Sequence, residues 1–597
     1  MTTTELTGAE EVAWDLSDLY DGGDDPRIKR DVEQTETAAA AFREQFYGRV
    51  AELSAAALRD AIEERQRIEA TFTRAIYYAH LWFATDTADS QRGALVARLT
   101  EKGAIIDTQL LFFGLELAAL EDEQADALIA SDELEHWRHW LRTVRKFRPH
   151  ILTEPEEKIL TEKSVSGFSA WDRLYDELLA AVKVDFDGTE IGFEEAMAKL
   201  YSADRDERRR ASEAITVALE PGLRTRTFVF NTIAVDKSID DRLRGYETWI
   251  SARNLSNDTT DEAVQALIDA VVSRYEVVQR YYTLKARLLG LERLSFYDRM
   301  APLADDPTHV GWAEASELVL NAFADFSTET GDIVERFFRE SWIDAPPRDS
   351  KRPGAFCATN VPGLHPYVFM NYTGDRRSVL TLAHELGHGL HGYLAEPLGL
   401  FNANTPLTTA ETASVFGEAL TFKRLLAHEE DPRRRLNLLA GRIEDSIATV
   451  HRQIAMNRFE HAVHTSRRDE GELSPEKFEE LWLDCQTKLF GDSVDADGYG
   501  TWWSYIPHFI GTPGYVYAYS YGFLFALSIF RKYELEGDSM VEPYLDLLRA
   551  GGSKPPAELA EIVGLDLTDP KIWEAGIDAL AVELDEAEAL AADIGLS

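Results

Sequence analysis

Cysteine is scarce in this chain, which contains Cys357 and Cys485 and no CxxC pair. Two isolated cysteines argue against a disulfide framework and against a cysteine-based zinc site. The first twenty residues also lack the basic and apolar segments of a secretory signal. We therefore expect a cytoplasmic protein with reduced thiols.

Basic residues are fewer than acidic ones. The chain has 62 Lys and Arg and 105 Asp and Glu, which give a formal net charge of -43. Binding to phosphate needs clustered Lys and Arg, so this balance argues against nucleic acid and anionic membranes as partners. We interpret the charge as a strongly solvated acidic surface. It bears on solubility rather than on mechanism, and it predicts no particular oligomeric state.

Charged residues are missing altogether from residues 498–530. A membrane-spanning helix needs about 20 predominantly apolar residues, whereas prolines, glycines and a run of tyrosines interrupt this stretch. We interpret it as a segment buried in the interior of a soluble protein. Its tyrosine hydroxyls should then find hydrogen-bond partners inside the fold.

Helical patterning dominates the rest of the chain, with apolar residues recurring at spacings of three and four. We predict a mostly α protein with a disordered N-terminus at 1–12, an N-terminal helical lobe at 13–200 and a catalytic domain at 201–597. Two regions depart from this pattern. The Asp-Gly pair within 183–193 predicts a β-hairpin, and two short β-prone runs between Pro and Gly breaks in 345–375 predict a small sheet.

Residues 381–394, TLAHELGHGLHGYL, contain the pattern HExxH. Residues four apart share a helix face, so His384 and His388 can present imidazole nitrogens to one metal ion. Zinc suits imidazole and carboxylate ligands and, in catalytic sites, keeps a position open for water. Glu385 would then accept the proton of that water as it attacks a peptide carbonyl. We expect one zinc ion per chain.

A third metal ligand should lie downstream, where Glu396, Glu411 and Glu418 are candidates. Glu396 falls near the end of the HExxH helix and is badly placed to fold back. The run after it predicts a second helix that presents Glu411 and Glu418, seven residues apart, on one face. One of these carboxylates could bind zinc while the other orients a ligand histidine. We interpret His391 as a structural or supporting histidine, because zinc already has enough ligands.

The sequence resembles the oligoendopeptidase F branch of the thimet-oligopeptidase family of zinc peptidases. TLAHELGHGLHGYL followed by AETASVFGEAL carries the resemblance, and WDLSDLY, KRPGAFC, HPYVFMNYTG, FGDSV and IPHF extend it over nearly the whole chain. It implies that Glu411, which opens the E-x-x-S segment, is the third zinc ligand and that Glu418 supports the site. It also implies a two-lobed helical ellipsoid with a small β-sheet beside a deep substrate channel and the HExxH helix at its floor.

The resemblance further assigns stabilisation of the oxyanion to a histidine and tyrosines after IPHF, here His508, Tyr515 and Tyr519. Fixed donors of this kind supply roughly 3 to 4 kcal/mol each to a tetrahedral transition state. Tyr515 and Tyr519 share a face if this segment is helical. If it is a strand, Tyr517 and Tyr521 join them.

The β-prone run GAFCATNV suggests that a peptide binds as an added strand beside the zinc. The leading prediction is a zinc endopeptidase that cuts internal bonds of short unstructured peptides. An exopeptidase on the same scaffold needs a charged pocket for a free terminus, and the sequence reveals no such pocket. A non-catalytic peptide-binding protein is the third possibility, although Glu385 and all the candidate ligands are present.

Overall fold

The computed structural model describes residues 6–164, 166–303, 308–359 and 363–595. Its secondary structure is mostly helical, as predicted, with a few short strands. The helices are α1 Pro26–Phe46, α2 Ala55–Ala84, α3 Ser90–Ala119, α4 Asp122–Ile129, α5 Arg138–Lys146, α6 Glu154–Ser164, α7 Phe168–Ala180, α8 Phe193–Ala198, α9 Arg205–Arg244, α10 Ser251–Ser256, α11 Asp261–Ser273, α12 Tyr275–Leu288, α13 Trp312–Phe326, α14 Thr328–Arg339, α15 Arg376–Ala395, α16 Leu400–Ala403, α17 Leu407–Ala410, α18 Ser414–His428, α19 Pro432–Thr449, α20 His451–Glu470, α21 Pro475–Phe490, α22 His508–Gly511, α23 Tyr517–Glu536, α24 Val541–Ala550, α25 Pro556–Ile562 and α26 Pro570–Asp593. The strands are β1 Lys183–Phe186, β2 Thr189–Gly192, β3 Leu294–Ser295, β4 Ile343–Asp344, β5 Phe356–Ala358, β6 Tyr367–Phe369 and β7 Val494–Asp495.

Both predicted β-structures are present in the fold. Strands β1 and β2 form the expected antiparallel hairpin, and its turn residues Asp187 and Gly188 both have positive φ angles of 53° and 81°, as a tight hairpin turn requires. In the predicted small sheet, β6 pairs with β4 in parallel and with β5 antiparallel. The strand order β4-β6-β5 leaves β5 at an edge of this sheet. The end of the GAFCATNV run, residues 360 and 361, lies outside the described residues.

The chain divides into two compact units, each assembled from three stretches. The first contains Met1–Arg148, Thr308–His428 and Ile529–Asp566, and the second contains Pro149–Pro307, Glu429–Ser528 and Leu567–Ser597. The domain boundary predicted at residue 200 stays a prediction. Of the N-terminal stretch predicted to be disordered, residues 1–5 lie outside the described residues. In the remainder Ala9 is buried, and the Trp312 amide donates to the Thr7 carbonyl at 2.7 Å.

The first unit packs its small sheet against the N-terminal segment. Trp14, from the WDLSDLY motif, contacts Tyr367 edge-on, with ring centroids 6.1 Å apart, and Phe369 at 5.7 Å. Phe356 of β5 stacks on Phe369 of β6 at 4.7 Å. Burying such aromatic rings contributes a large share of core stability. The edge strand β5 is therefore fixed from one side by a rigid aromatic cluster.

The second unit has an aromatic core where α9, α20 and α21 meet. Phe230 of α9 stacks on Phe509, and Phe459 of α20 packs on the same ring at 5.2 Å. Trp503 stacks on Phe478 at 4.6 Å. Because Phe509 is anchored in this way, the residue before it, His508, has a defined place at the start of α22.

The uncharged stretch 498–530 is largely buried in the protein, as predicted. Tyr517 and Tyr521 are fully buried, and their hydroxyls accept hydrogen bonds from Asn257 at 2.9 Å and Thr259 at 3.3 Å. No individual helix in the described ranges is long and apolar enough to cross a membrane. The sharply bent pair α3 and α4 meets that test jointly, by length and composition alone.

Candidate metal centre and active site

Helix α15 carries the HExxH residues. It begins after Asp375, whose side chain accepts a hydrogen bond from the Ser378 amide at 2.7 Å, and such a cap satisfies one of the free amides of the first turn. The helical repeat then brings His384 and His388 to the same face, with ring centroids 5.0 Å apart. The local sequence alone therefore pairs the two imidazoles.

Glu411 lies in a turn between α17 and α18, so the prediction that one helix carries both Glu411 and Glu418 is wrong. Threonine and serine side chains explain the break, because their hydroxyls compete with helical hydrogen bonding. The Thr412 hydroxyl donates to the Thr409 carbonyl at 2.8 Å. The Ser414 hydroxyl donates to Glu411 Oε2 at 2.6 Å and thereby orients the carboxylate.

Two glycines let this turn approach the HExxH helix closely. A Cβ atom on Gly387 would lie 2.4 Å from the Ala413 carbonyl oxygen and 2.6 Å from Ser414 Cα. On the facing helix, a Cβ on Gly417 would lie 2.5 Å from the Phe323 ring and 3.2 Å from the Ala383 carbonyl oxygen. The contacts at Gly387 are with backbone atoms and are shorter than atoms allow, so the close backbone approach requires glycine there. At Gly417 the backbone contact is tight, and the shortest contact is with the tip of the Phe323 side chain.

The three side chains predicted to bind metal come together at this contact. Glu411 Oε2 lies 3.4 Å from His384 Nε2 and 3.6 Å from His388 Nε2. A tetrahedral zinc ion with bonds of about 2.1 Å holds its ligand atoms about 3.4 Å apart. Among the described residues, this is the one group of three or more His, Cys, Asp or Glu side chains with the spacing for a metal ion. Its donor set and spacing fit zinc.

Glu418 lies behind this cluster. Its Oε2 atom is 3.3 Å from Nδ1 of His384, the ring nitrogen opposite the one that faces Glu411. A carboxylate on the far nitrogen fixes the tautomer and the orientation of a ligand histidine. Glu396, the rejected candidate, instead accepts a hydrogen bond from the Gly363 amide at 2.9 Å.

The charges of the cluster are unbalanced without a cation. Burial disfavours a charged imidazole, yet the carboxylates of Glu418, Glu411 and Glu385 raise the pKa of His384 to about 9. Burial lowers the pKa of His388 to about 4. The carboxylates of Glu411 and Glu418 thus face two histidines of which one is neutral. A dication would neutralise the excess negative charge and would also fit the chemistry of the ligands.

Glu385 is 6% exposed, and its Oε2 atom has no hydrogen-bond partner. Burial raises the pKa of its carboxyl group to about 7. An orphaned buried carboxylate oxygen is costly, and such groups are typical of catalytic positions. The side chain faces a cavity of about 440 Å³ that Phe356 and Cys357 of β5, His384, His388 and His391 also line.

His391 is buried at 6% exposure, and its Nε2 atom has no partner. Burial lowers the pKa of the ring to about 4, so the imidazole is neutral. It lies outside the group of three with metal spacing. Its role as a supporting histidine stays a prediction.

The second unit brings together His508, Tyr515 and Tyr519, which we call the His508 cluster. The Tyr519 hydroxyl lies 3.3 Å from His508 Nε2, and the rings of Tyr515 and Tyr519 are 5.0 Å apart. The His508 and Tyr515 rings are nearly parallel. The segment is helical rather than extended from Tyr517, where α23 begins, whereas Tyr515 precedes that helix. Tyr517 and Tyr521 are buried in the core.

Two family models match this sequence. The one described as peptidase family M3 matches residues 326–579, which include the whole metal cluster, and the one described as oligopeptidase F matches residues 116–183. Residues 326–579 therefore form a peptidase family M3 domain. Members of this family are zinc metallopeptidases in general, so the chain is a metallopeptidase, and the second match makes it an oligopeptidase.

Known relatives of this M3 peptidase match over most of its length. Oligopeptidase PepF of Bacillus subtilis (strain 168) is 29% identical over 566 residues, which cover 92% of this chain and 82% of the relative. An oligoendopeptidase F homolog of Borreliella burgdorferi is 25% identical and covers 97% and 98%. The crystal structure of a Chlamydophila abortus protein has a TM-score of 0.87 at 23% identity, covering 97% and 98%, which shows a shared fold.

Sequence reasoning missed some residues of the M3 site. Gly387 lies inside the HExxH motif, and only its pairing with Gly417 in the facing segment could have indicated a close approach of backbones. Cys357, Asn404 and Thr405 line the cavity beside Glu385. Nothing in their spacing distinguishes them from ordinary loop and strand residues.

Proposed function

We propose that this protein is a zinc-dependent oligoendopeptidase that hydrolyses internal bonds of short unstructured peptides. The observation that carries the proposal is the convergence of His384, His388 and Glu411 to metal-binding distances beside the orphaned carboxylate of Glu385. In this proposal His384, His388 and Glu411 hold one zinc ion. Bound zinc makes water acidic enough to lose a proton near neutral pH, and it polarises the peptide carbonyl.

Glu385 acts as the general base in this proposal. It takes the proton from the attacking water on its free Oε2 atom and returns it to the amine that leaves. Burial suits this task, because the raised pKa of its carboxyl group lies near the pH at which the proton must be exchanged. Ser414 and Glu418 hold Glu411 and His384 in position through the hydrogen bonds described above.

The substrate backbone pairs with β5 in the same proposal. Within the described residues β5 pairs with β6 alone, so its other edge offers free amides and carbonyls to an extended peptide. Pairing by main-chain atoms binds peptides with little regard to sequence. Phe356 and Cys357 of this strand line the same cavity as Glu385, which supports binding of the scissile bond next to the base.

We propose the His508 cluster as the donors for the oxyanion. Burial lowers the pKa of His508, so the ring is neutral near pH 7 and can donate or accept one hydrogen bond. The mutual contacts of His508 and Tyr519 support a common task for the two side chains. The cytoplasm remains the location predicted from the sequence, and short peptides remain the predicted partners.

Metal analysis combined with cleavage of peptides blocked at both termini tests the proposal. We expect one zinc ion per chain, cleavage of blocked quenched peptides, loss of activity with a chelator and recovery with added zinc. An exopeptidase would leave doubly blocked peptides intact and cut those with a free terminus. A graded series of peptide lengths measures the predicted limit to short substrates.

A further inference from the structure

A fully buried glutamate lies under the turn that connects His508 to the two tyrosines. Glu460 of α20 is 0% exposed. Its Oε1 atom accepts a hydrogen bond from the Gly514 amide at 2.9 Å. Its other carboxyl oxygen is buried without a partner. The Gly514 amide is therefore satisfied by a side chain from a distant part of the sequence.

The burial of Glu460 is costly and needs a compensating role. Burial raises the pKa of its carboxyl group to about 8, and the cations that face it, Arg253 of α10 and Lys237 of α9, oppose this shift only weakly. Lys237 pairs with Asp241 at 2.9 Å, which leaves Glu460 without an ion-pair partner. Near pH 7 the side chain is thus a neutral acid. A hydrocarbon side chain would fill the same space at lower cost, except that it could not accept the Gly514 hydrogen bond.

The turn that Glu460 contacts, residues 512–516, positions the His508 cluster. The Thr512 amide donates to the His508 carbonyl at 3.1 Å, and the Tyr515 amide donates to the Thr512 carbonyl at 3.1 Å. Gly514 has a φ of +75°, a conformation that favours glycine and leaves the backbone flexible unless it is held. Arg253 supplies a second contact, since its Nε atom donates to the Pro513 carbonyl at 3.4 Å.

We propose that Glu460 is a positioning residue for catalysis: its carboxyl group holds the 512–516 turn and thereby sets Tyr515 and Tyr519 against His508. This inference rests on the proposed function of the His508 cluster. Donors act on the transition state only when they are aimed at the developing charge. A misplacement of about 1 Å can lower the rate on the order of 100-fold. Because the donors act in the transition state, loss of the anchor should lower kcat more than it raises KM.

Three substitutions at one position test this inference in the zinc-loaded protein. Glu460→Met keeps the length and volume of the side chain but has no oxygen to accept from Gly514. Glu460→Asp keeps the carboxyl group but places it one methylene farther from the Gly514 amide. It provides the same test if the methionine variant does not fold. Glu460→Gln retains the acceptor oxygen without a charge. Glu470→Met, at an exposed position on the same helix, is the matched control.

We expect Glu460→Met to lower kcat by about 10- to 100-fold with KM within about threefold and with zinc content unchanged. Amide hydrogen exchange in the peptide covering residues 510–517 should become faster. Glu460→Gln should restore most of kcat and the slow exchange. In the double variant with Tyr519→Phe, the loss in kcat should be clearly smaller than the product of the two single losses, because both changes act on the Tyr519 donor and only the effect on Tyr515 is left to add.

Several results would overturn the inference. Unchanged exchange at 510–517 in both Glu460→Met and Glu460→Asp would show that Glu460 does not hold the turn. A Glu460→Gln variant as slow as Glu460→Met, or losses that multiply in the double variant, would reduce Glu460 to a stabilising role. Wild-type kcat in Tyr519→Phe would instead overturn the proposed role of the tyrosine. The exchange measurement keeps this failure distinguishable from a failure of the anchor.

Discussion

Replacing Gly387 with alanine should disrupt the geometry of the metal centre, although it changes none of the proposed metal ligands. The added Cβ atom would lie 2.4 Å from the Ala413 carbonyl oxygen and 2.7 Å from the Ala413 carbonyl carbon. Both are backbone atoms, so no side-chain rotation relieves the clash. A normal contact of about 3.4 Å requires the turn to retreat from α15 by about 1 Å. Ser414 ties Glu411 to this turn, so the carboxylate moves with it.

The displacement is large on the scale of metal coordination. The separation of 3.4 Å between His384 Nε2 and Glu411 Oε2 would grow to about 4.4 Å, whereas metal–ligand distances tolerate changes of about 0.2 Å. We expect zinc affinity to fall by at least the 10- to 100-fold that loss of an outer hydrogen bond costs. Overpacking should also destabilise the protein by about 1–3 kcal/mol. Competition with a chelator measures the zinc Kd, and thermal unfolding of the metal-free protein measures the loss of stability.

Gly441→Ala is the matched control for Gly387→Ala. Gly441 lies inside α19, and an added Cβ there meets no atom within 4 Å. Alanine favours a helix over glycine by about 1 kcal/mol, so this variant should keep its zinc and melt at the same or a higher temperature. Wild-type zinc affinity and activity in Gly387→Ala would refute the claim that close approach at this glycine sets the ligand geometry.

Three further predictions concern Glu418, Glu460 and Asp298. Glu418→Ala removes the partner of His384 Nδ1 and should weaken zinc binding about 10- to 100-fold in chelator competition; an unchanged Kd would contradict this. Since the folded-state pKa of Glu460 is raised from 4.5 to about 8, its contribution to stability is present below pH 4.5 and is lost as pH rises towards 8. The free energy of unfolding of Glu460→Gln relative to wild type should therefore increase across that window, by up to about 1.4 kcal/mol per pH unit. Melting temperatures measured over the same pH range report this change, and parallel curves of melting temperature against pH for the two proteins would exclude the pKa shift. Asp298→Ala removes the carboxylate that pairs with the buried Arg208 guanidinium at 2.9 Å. This change should lower the free energy of unfolding by about 3–5 kcal/mol, and a loss under 1 kcal/mol would show that the ion pair is unimportant for stability.

Features that depend on local periodicity could be predicted from the sequence. The nearness of His384 and His388 follows from the helical repeat once a capped helix contains them. The β1–β2 hairpin follows from the tolerance of Asp187 and Gly188 for positive φ angles. In both cases neighbours within a few residues determine the geometry, so no tertiary information was needed.

Features that depend on tertiary packing could not be predicted. The predicted helical setting of Glu411 was wrong because the hydroxyls of Thr412 and Ser414 break the expected helix, and their hydrogen bonds are visible only in three dimensions. The burial of Glu460 under Gly514 joins segments 54 residues apart. Single-sequence patterns assign a lone glutamate on a helix to solvent, so its anchoring position escaped prediction.

Glu385→Gln tests the central claim most directly, because it changes one proton-accepting oxygen and leaves all three proposed metal ligands in place. Zinc content and kcat on a doubly blocked quenched peptide should be measured on the same preparation. The account predicts one zinc ion per chain, as in the wild type, and a fall in kcat of about 100- to 10,000-fold. Full zinc occupancy together with wild-type kcat would contradict the assignment of Glu385 as the general base.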